Sequence, residues 1–383
     1  MRFHFPTRIF FGSGMISRIK EIVEEDFKEA SLFLVTDKGI IEAGIADKVL
    51  SRFPGIPVFD EVEQNPKHTT IDRAGDAVRK IEADLVIGLG GGSSLDAAKA
   101  IALLATNPGK IEDYEGKGKY KSPPLPVLAI PTTCGTASEV TWVSVITHTE
   151  RMFKMSIKGP HMFPALALVD PDLLVTLPPQ LIASTGLDAL THAIEAYTVK
   201  PATFLTDFFA RESLKLIFES LERAYGNIKG DKEAREKIML GSTIAGPAFC
   251  NSDVGAVHCV AEAVGSLFDT PHGVANSIFL PFIMEFNLPV AKDRYAEIAK
   301  IAGVEVKDSE AAARELIQMI KFLSSSMNIP SFKDLGIKES QFPEIAQKSF
   351  ENNSNPSNPR EAGVEDYLEI LKKAADALKL INS

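Results

Sequence analysis

The sequence predicts a two-domain chain: an α/β domain with a parallel sheet over residues 1–177, then an all-helical domain over residues 178–383. Three observations lead there. Short, continuously apolar runs alternate with helical stretches through the first half. A glycine-rich segment joins one of these runs directly to a helix. After Asp170-Pro171 the strand signals stop, and Leu177-Pro178-Pro179 breaks the chain before helix follows helix.

The expected strands are 31–36 (SLFLVT), 57–59, 84–89 (DLVIGL), 127–131 (VLAIP) and 165–169 (ALALV). Between them, 70–82 and 94–105 carry apolar residues at helical spacing. Apolar strands separated by helices indicate a parallel sheet covered on both faces. In the second half, 203–225, 232–249, 311–325 and 364–380 show the same helical spacing with almost no strand signal.

The bulk numbers exclude several classes. At 383 residues, 45% hydrophobic and 24% charged, the chain has the composition of a globular protein with a sizeable core. A net charge of −10 with no dense Lys/Arg run makes nucleic acid an unsuitable partner. The 3 cysteines, Cys134, Cys250 and Cys259, lack CxxC spacing and fit a reducing compartment. No uninterrupted apolar stretch reaches the ~18 residues of a membrane helix, and the N-terminus lacks a signal-peptide layout. The cytoplasm is the expected location, with no membrane partner.

The strand DLVIGL runs into Gly90-Gly91-Gly92-Ser93-Ser94, and a helix opens at Leu95. Glycines let a backbone approach a phosphate closely, and a helix start offers free N–H groups and a positive dipole end. GLGGGSS matches GxGxxG only loosely, so a plain strand-to-helix turn is an equal reading of this segment alone. The loop Thr132-Thr133-Cys134-Gly135-Thr136 follows another strand, where doubly wound, Rossmann-like sheets bind their ligands. Asp37 also ends a strand, where a carboxylate can take a ribose hydroxyl. It precedes the glycines by a long way, however, and its spacing alone reads as a helix cap.

Of 7 histidines, four (His4, His68, His148 and His161) read as surface, turn or core residues. The others form a pattern. Asp188 and His192 stand four apart in a helical stretch and share one face. Leu187, Leu190 and Ile194 make that face apolar, and burying an acid there is costly unless it is paired or holds an ion. His258 lies in a second helical stretch, 253–267, and His272 opens a third. Three imidazoles and a carboxylate suit a divalent transition metal such as Fe²⁺ or Zn²⁺ better than Mg²⁺ or Ca²⁺.

Together GGGSSLDAAK, PTTCGTASEVT, GLDALTHAIEAY and TPHGVAN resemble the iron-containing (group III) alcohol dehydrogenase family. The likeness runs over nearly the whole chain, from Gly12-Ser13-Gly14 to Asn358-Pro359-Arg360. It implies a Rossmann-like nucleotide-binding domain followed by an all-helical metal-binding domain. It makes Asp188, His192, His258 and His272 the ligands of one divalent ion, Fe²⁺ first and Zn²⁺ second. Gly91, Gly92, Ser93 and Asp96 would lie near the pyrophosphate of NAD, and Thr132, Thr133 and Thr136 along its nicotinamide. Lys154 would reach a ribose, and Asp37 would become the adenosine-ribose acid that favours NAD over NADP. The implied chemistry is hydride transfer between a small alcohol or aldehyde and the nicotinamide, in a homo-oligomer, with a dimer expected.

One position departs from the pattern. Many family members carry a further histidine four residues after the third ligand, where this chain has Glu262. The departure makes Glu262 the candidate for moving the proton and leaves the substrate open. The alternative is a lyase resembling dehydroquinate synthase, with transient cofactor oxidation. That chemistry needs a basic cluster for a phosphorylated substrate, and none stands beside the metal motifs.

Overall fold

A computed structural model describes residues 3–377, so positions 378–380 of the helix expected at 364–380 lie outside the described residues. The chain forms two compact units, His4–Leu177 and a second running from residue 178 onward together with Phe3.

The first unit holds strands β1 (Arg8–Phe11), β2 (Leu32–Val35), β3 (Val58–Phe59), β4 (Leu85–Gly90), β5 (Gly116–Lys117), β6 (Val127–Pro131), β7 (Val143–His148), β8 (Phe153–Lys158) and β9 (Leu166–Val169). Its longer helices are α1 (Ile19–Asp26), α2 (Lys38–Glu42), α3 (Asp47–Leu50), α4 (His68–Ile81) and α5 (Gly92–Thr106). Six strands make a parallel sheet in the order β1-β9-β6-β4-β2-β3. Alternation along each strand feeds two cores. Phe33, Val35 and Val86 pack with Ile71 and Val78 of α4 and Ile101 of α5. Leu34, Leu85 and Ile87 pack with Ile19 and Ile22 of α1 and Val49 of α3. Both faces are therefore covered, which is why these strands read as unbroken apolar runs.

The chain leaves β2 toward β3 on one side and returns to β4 on the other. Strand order reverses between β2 and β4, and crevices at such points receive ligands. The remaining strands form a small sheet, β5-β8-β7, in which β7 and β8 pair antiparallel from Val143↔Lys158 to His148↔Phe153. Continuous apolar runs predict no strand there, nor at β1. β8 mixes half-buried and buried residues without strict alternation and includes two lysines, so it never shows as a continuous apolar run.

The second unit is helical: α6 (Pro179–Thr198), α7 (Phe204–Asn227), α8 (Lys232–Asn251), α9 (Ala256–Phe268), α10 (His272–Ile301), α11 (Ser309–Ser326), α12 (Phe342–Glu351) and α13 (Val364–Asp376). α6 is its central element, buried from Ile182 to Thr198 apart from half-buried Thr185. Gly186 makes that burial possible, because a Cβ there would stand 2.3 Å from Leu221 Cδ1 of α7. α9 starts three residues later than the expected 253, since Asp253 is engaged elsewhere. Its carboxylate accepts from Ser354 Oγ at 3.0 Å and Ser357 Oγ at 2.6 Å. α10 is long and apolar enough by composition to cross a bilayer, yet 67% of its most apolar window is buried. It packs as a core helix beside α6.

Candidate functional site

Asp188 and His192 project from α6, His258 from α9 and His272 from the first residue of α10. One ligand atom from each lies within 4.8 Å of all the others. Metal–nitrogen and metal–oxygen bonds of about 2.0–2.2 Å put the donors around one ion within such a span. Asp188, His192 and His258 are buried, and His272 is partly exposed. His192 and His258 face each other through their Nε2 atoms at 3.0 Å, and Asp188 Oδ1 is 3.8 Å from His272 Nε2. Lone pairs converging in a buried space call for a cation, so the donor set fits a divalent transition metal.

Two further residues belong to this cluster and were not singled out in the sequence. Glu195, three residues after His192, accepts from His258 Nδ1 at 2.6 Å. The Nδ1 proton is thereby held, and the Nε2 lone pair is left pointing into the cluster, as in carboxylate–histidine–metal arrangements. Asn276, four residues after His272, places Nδ2 at 2.6 Å from Asp188 Oδ1, 3.1 Å from His272 Nε2 and 3.2 Å from His258 Nε2. Two amide protons thus face three acceptors. The signals were present: Glu195 is a charge between Ile194 and Ala196 on a buried helix, and Asn276 repeats the i,i+4 spacing after a ligand. Burial lowers the His258 pKa, but the Glu195 hydrogen bond and charge, followed by Asp188 and Glu262, outweigh it and raise it overall.

A second group, His68, Glu112 and His148, also gathers donors within 4.8 Å. Read from the sequence as scattered surface, turn or core residues, His68 and His148 are buried and stacked, with ring centroids 4.3 Å apart. Their chemistry differs. Nδ1 of each ring accepts a backbone N–H, from Thr149 to His68 and from Arg151 to His148. A neutral ring bonded in this way keeps its proton on Nε2, and His148 donates that proton to Glu112 at 2.9 Å. With Nδ1 accepting from the backbone and the proton on Nε2, neither ring keeps a free lone pair for an ion. This trio is a hydrogen-bonded support for β7.

In the first unit, Asp37 lies two residues beyond β2 and the glycine turn follows β4. Asp37 caps α2 by accepting from Ile40 N at 3.0 Å, and its other oxygen accepts from Ser94 Oγ at 2.8 Å. α5 opens at Gly92, earlier than the expected Leu95, and Gly91 at its N-cap supplies no side-chain cap. Its first amides are therefore available to an anion. Gly90 has φ +146° and lies under Asp37, while a Cβ on Gly92 would meet Thr136 Cγ2 at 2.5 Å. The glycines thus bring the turn against the loop that follows β6, where Thr132 N donates to Gly90 O at 2.9 Å. Ser93 and Thr133 are half-buried and make no side-chain hydrogen bond among the described residues.

The other expected residues have internal partners. Asp96 accepts from Ser138 Oγ at 2.5 Å and Val145 N at 2.9 Å, and pairs with buried Lys99 at 3.0 Å. It ties α5 to β7 and to the turn after Thr136. Lys154 on β8 donates to Asn65 Oδ1 at 2.9 Å, and Asn65 is buried at φ +52°. Glu262, half-buried on α9, accepts from Asn352 Nδ2 at 2.7 Å and is not one of the four clustered donors.

The profile described as iron-containing alcohol dehydrogenase matches residues 6–171, and that described as Fe-containing alcohol dehydrogenase family, C-terminal, matches residues 182–375. The chain belongs to the iron-containing alcohol dehydrogenase family. It is 38% identical over 380 residues to alcohol dehydrogenase 4 of Saccharomyces cerevisiae, covering 97% of this chain and 98% of that protein. It is 36% identical to the NAD-dependent methanol dehydrogenase of Bacillus methanolicus, covering 97% and 99%. Among solved structures, 1,3-propanediol oxidoreductase superposes with a TM-score of 0.93 at 36% identity, covering 97% of this chain and 99% of that one. Membership fixes the reaction class as oxidation and reduction between alcohol and aldehyde, in a family with NAD-dependent members. The two-domain α/β and helical architecture is that of the family.

Proposed function

We propose that this enzyme interconverts small alcohols and aldehydes with NAD, residues 1–177 binding the nucleotide and residues 178–383 the metal. The observation that carries the reading is the convergence of Asp188, His192, His258 and His272 within 4.8 Å. These four would hold one divalent ion, Fe²⁺ first. A bound ion would draw charge from the substrate oxygen, acidifying an alcohol and polarising a carbonyl. The nicotinamide would carry the hydride.

The chain's own groups do the rest. The uncapped first turn of α5, with Gly91, Gly92 and Ser93, offers N–H groups to the pyrophosphate. Asp37 accepts from the adenosine ribose and repels a 2′-phosphate, which selects NAD over NADP. Thr132, Thr133 and Thr136 border the nicotinamide, and Asp96 holds their loop in place. Lys154 donates to a ribose beside Asn65. Glu262 accepts or returns the substrate proton through its carboxylate.

The test is a panel of alcohols and aldehydes assayed with NAD and NADP after loading with Fe²⁺, Zn²⁺ or Ni²⁺. Net, metal-dependent turnover of NAD is expected. Transient oxidation without net turnover would favour the dehydroquinate-synthase-like alternative, and no turnover on any substrate would overturn both. A cytoplasmic homodimer completes the reading. It is supported by three free cysteines and by exposed Phe204 and Phe208 on α7, and light scattering tests the dimer.

A further inference from the structure

The helix that carries His258 does not cap itself. Its N-cap is Gly255, which offers no side chain to the first-turn amides. Those amides are satisfied from elsewhere: Ala256 N donates to Asn358 Oδ1 at 3.2 Å, and Val257 N to Glu195 Oε1 at 2.8 Å. The other oxygen of Glu195 accepts from His258 Nδ1 at 2.6 Å. One carboxylate on α6 therefore holds both the start of α9 and the ring that α9 presents. Glycine at 255 permits the approach, since a Cβ there would stand 2.9 Å from Glu195 Oε1 and 3.0 Å from Asn358 Oδ1.

Glu195 is only 4% exposed. A carboxylate so buried is costly unless its lone pairs are used, and here a backbone N–H, a ring N–H and the positive end of α9 all serve it. We propose that Glu195 is a positioning residue that sets the metal affinity of the centre by locking His258 with its proton on Nδ1. The inference rests on the four-residue reading of the metal site. A bond to Nδ1–H leaves the Nε2 lone pair facing His192, the neutral ring form in which His258 binds a metal through Nε2.

Glu195→Gln separates this role from packing, because glutamine has the same shape but one acceptor oxygen and one donor NH₂. If the oxygen stays on Val257 N–H, the NH₂ faces Nδ1 and drives the ring proton to Nε2, which removes the ligating lone pair. If the amide flips, the NH₂ opposes the Val257 N–H and the cap is lost. A residue that merely fills space would tolerate the change.

The experiment measures Zn²⁺ affinity by chelator competition for the wild type, Glu195→Gln and His192→Ala, with NADH fluorescence titration as a folding control. Glu195→Gln is expected to weaken Zn²⁺ binding about 10- to 100-fold, with NADH affinity unchanged. Zn²⁺ affinity within about twofold of wild type in a folded Glu195→Gln protein, alongside loss of binding in His192→Ala, overturns this inference alone. Intact affinity in His192→Ala overturns the metal reading as well. If Glu195→Gln does not fold, ¹⁵N-histidine spectra of the metal-free wild type at alkaline pH decide the matter. An Nδ1–H signal for His258 supports the proposal, and an Nε2–H signal overturns it.

Discussion

The Ser94 hydroxyl in the first turn of α5 donates to the Asp37 carboxylate across 2.8 Å, although the two residues lie 57 positions apart in sequence. β2 and β4 are neighbours, so the acid that precedes the glycine turn along the chain sits beside it in space. The familiar order, glycines first and acid second, is one way to place these two groups at a switch point. This chain uses the reverse.

The bond gives a prediction about cofactor choice. Asp37→Gly should admit NADP and narrow the ratio of kcat/KM between NAD and NADP. Glycine is nearly as good an N-cap as aspartate, but the buried Ser94 hydroxyl loses its acceptor, so stability should fall by about 1–3 kcal/mol. Equal kcat/KM for both cofactors in the unmodified enzyme would remove Asp37 from this role.

At the metal cluster, Asp188→Ala and His272→Ala should each abolish turnover while leaving NADH binding intact. Loss of several kcal/mol of charge stabilisation corresponds to about a thousandfold or more in rate. Elemental analysis beside steady-state assays is the check. Full metal occupancy with normal rates in both variants would contradict the four-ligand arrangement.

Metal binding should also compete with protons. The His258 pKa is raised because the Glu195 bond and the neighbouring acids outweigh burial. In the metal-free protein, the stability gained from the charged ring is complete below the unfolded value of about 6.5 and is lost as pH rises through the higher folded value. A ligating Nε2 must give up its proton, so Zn²⁺ affinity should fall as pH drops through that window. The rise in Tm on adding Zn²⁺ should therefore be larger near pH 8 than near pH 5.5, roughly the span of histidine titration. A pH-independent rise would show that His258 is not a ligand.

Glu262 sits one helical turn beyond His258, and its carboxylate is held by Asn352. Glu262→Gln keeps the shape and removes the base, so kcat should fall and the pH–rate profile should change. Glu262→His should retain more activity with its own pH dependence. Wild-type kcat at every pH in Glu262→Gln, with unchanged metal affinity, would leave the residue a structural partner of Asn352.

Much of this was legible because burial on two faces forces continuous apolar runs. β2, β4, β6 and β9 announced themselves in that way, and the helix starts and stops stayed within a few residues of their periodic segments. What escaped is equally instructive. β7 and β8 lie in a small hairpin sheet whose alternation is broken by Lys154 and the polar turn after His148. Asp188 and His192 could be paired from spacing, but spacing has no reach across helices. Glu195 therefore read as one more polar residue, although it serves a helix that begins sixty-odd positions later. His68 and His148 show the converse, since two histidines 80 positions apart in sequence stack in space, yet their Nδ1 lone pairs are already taken by backbone N–H groups.

The distribution of the four donors over α6, α9 and α10 has a mechanical consequence. His192 and His258 are 66 residues apart in sequence, so an ion shared between them closes a long loop and cross-links three helices in the manner of a staple. Closing such a loop in the unfolded chain costs entropy that grows only slowly with its length, and an ion that prefers the folded state stabilises it by mass action. Occupancy should therefore raise the melting of residues 178–377 selectively. In calorimetry, chelation should lower the transition of the helical unit while that of the sheet unit stays where it was.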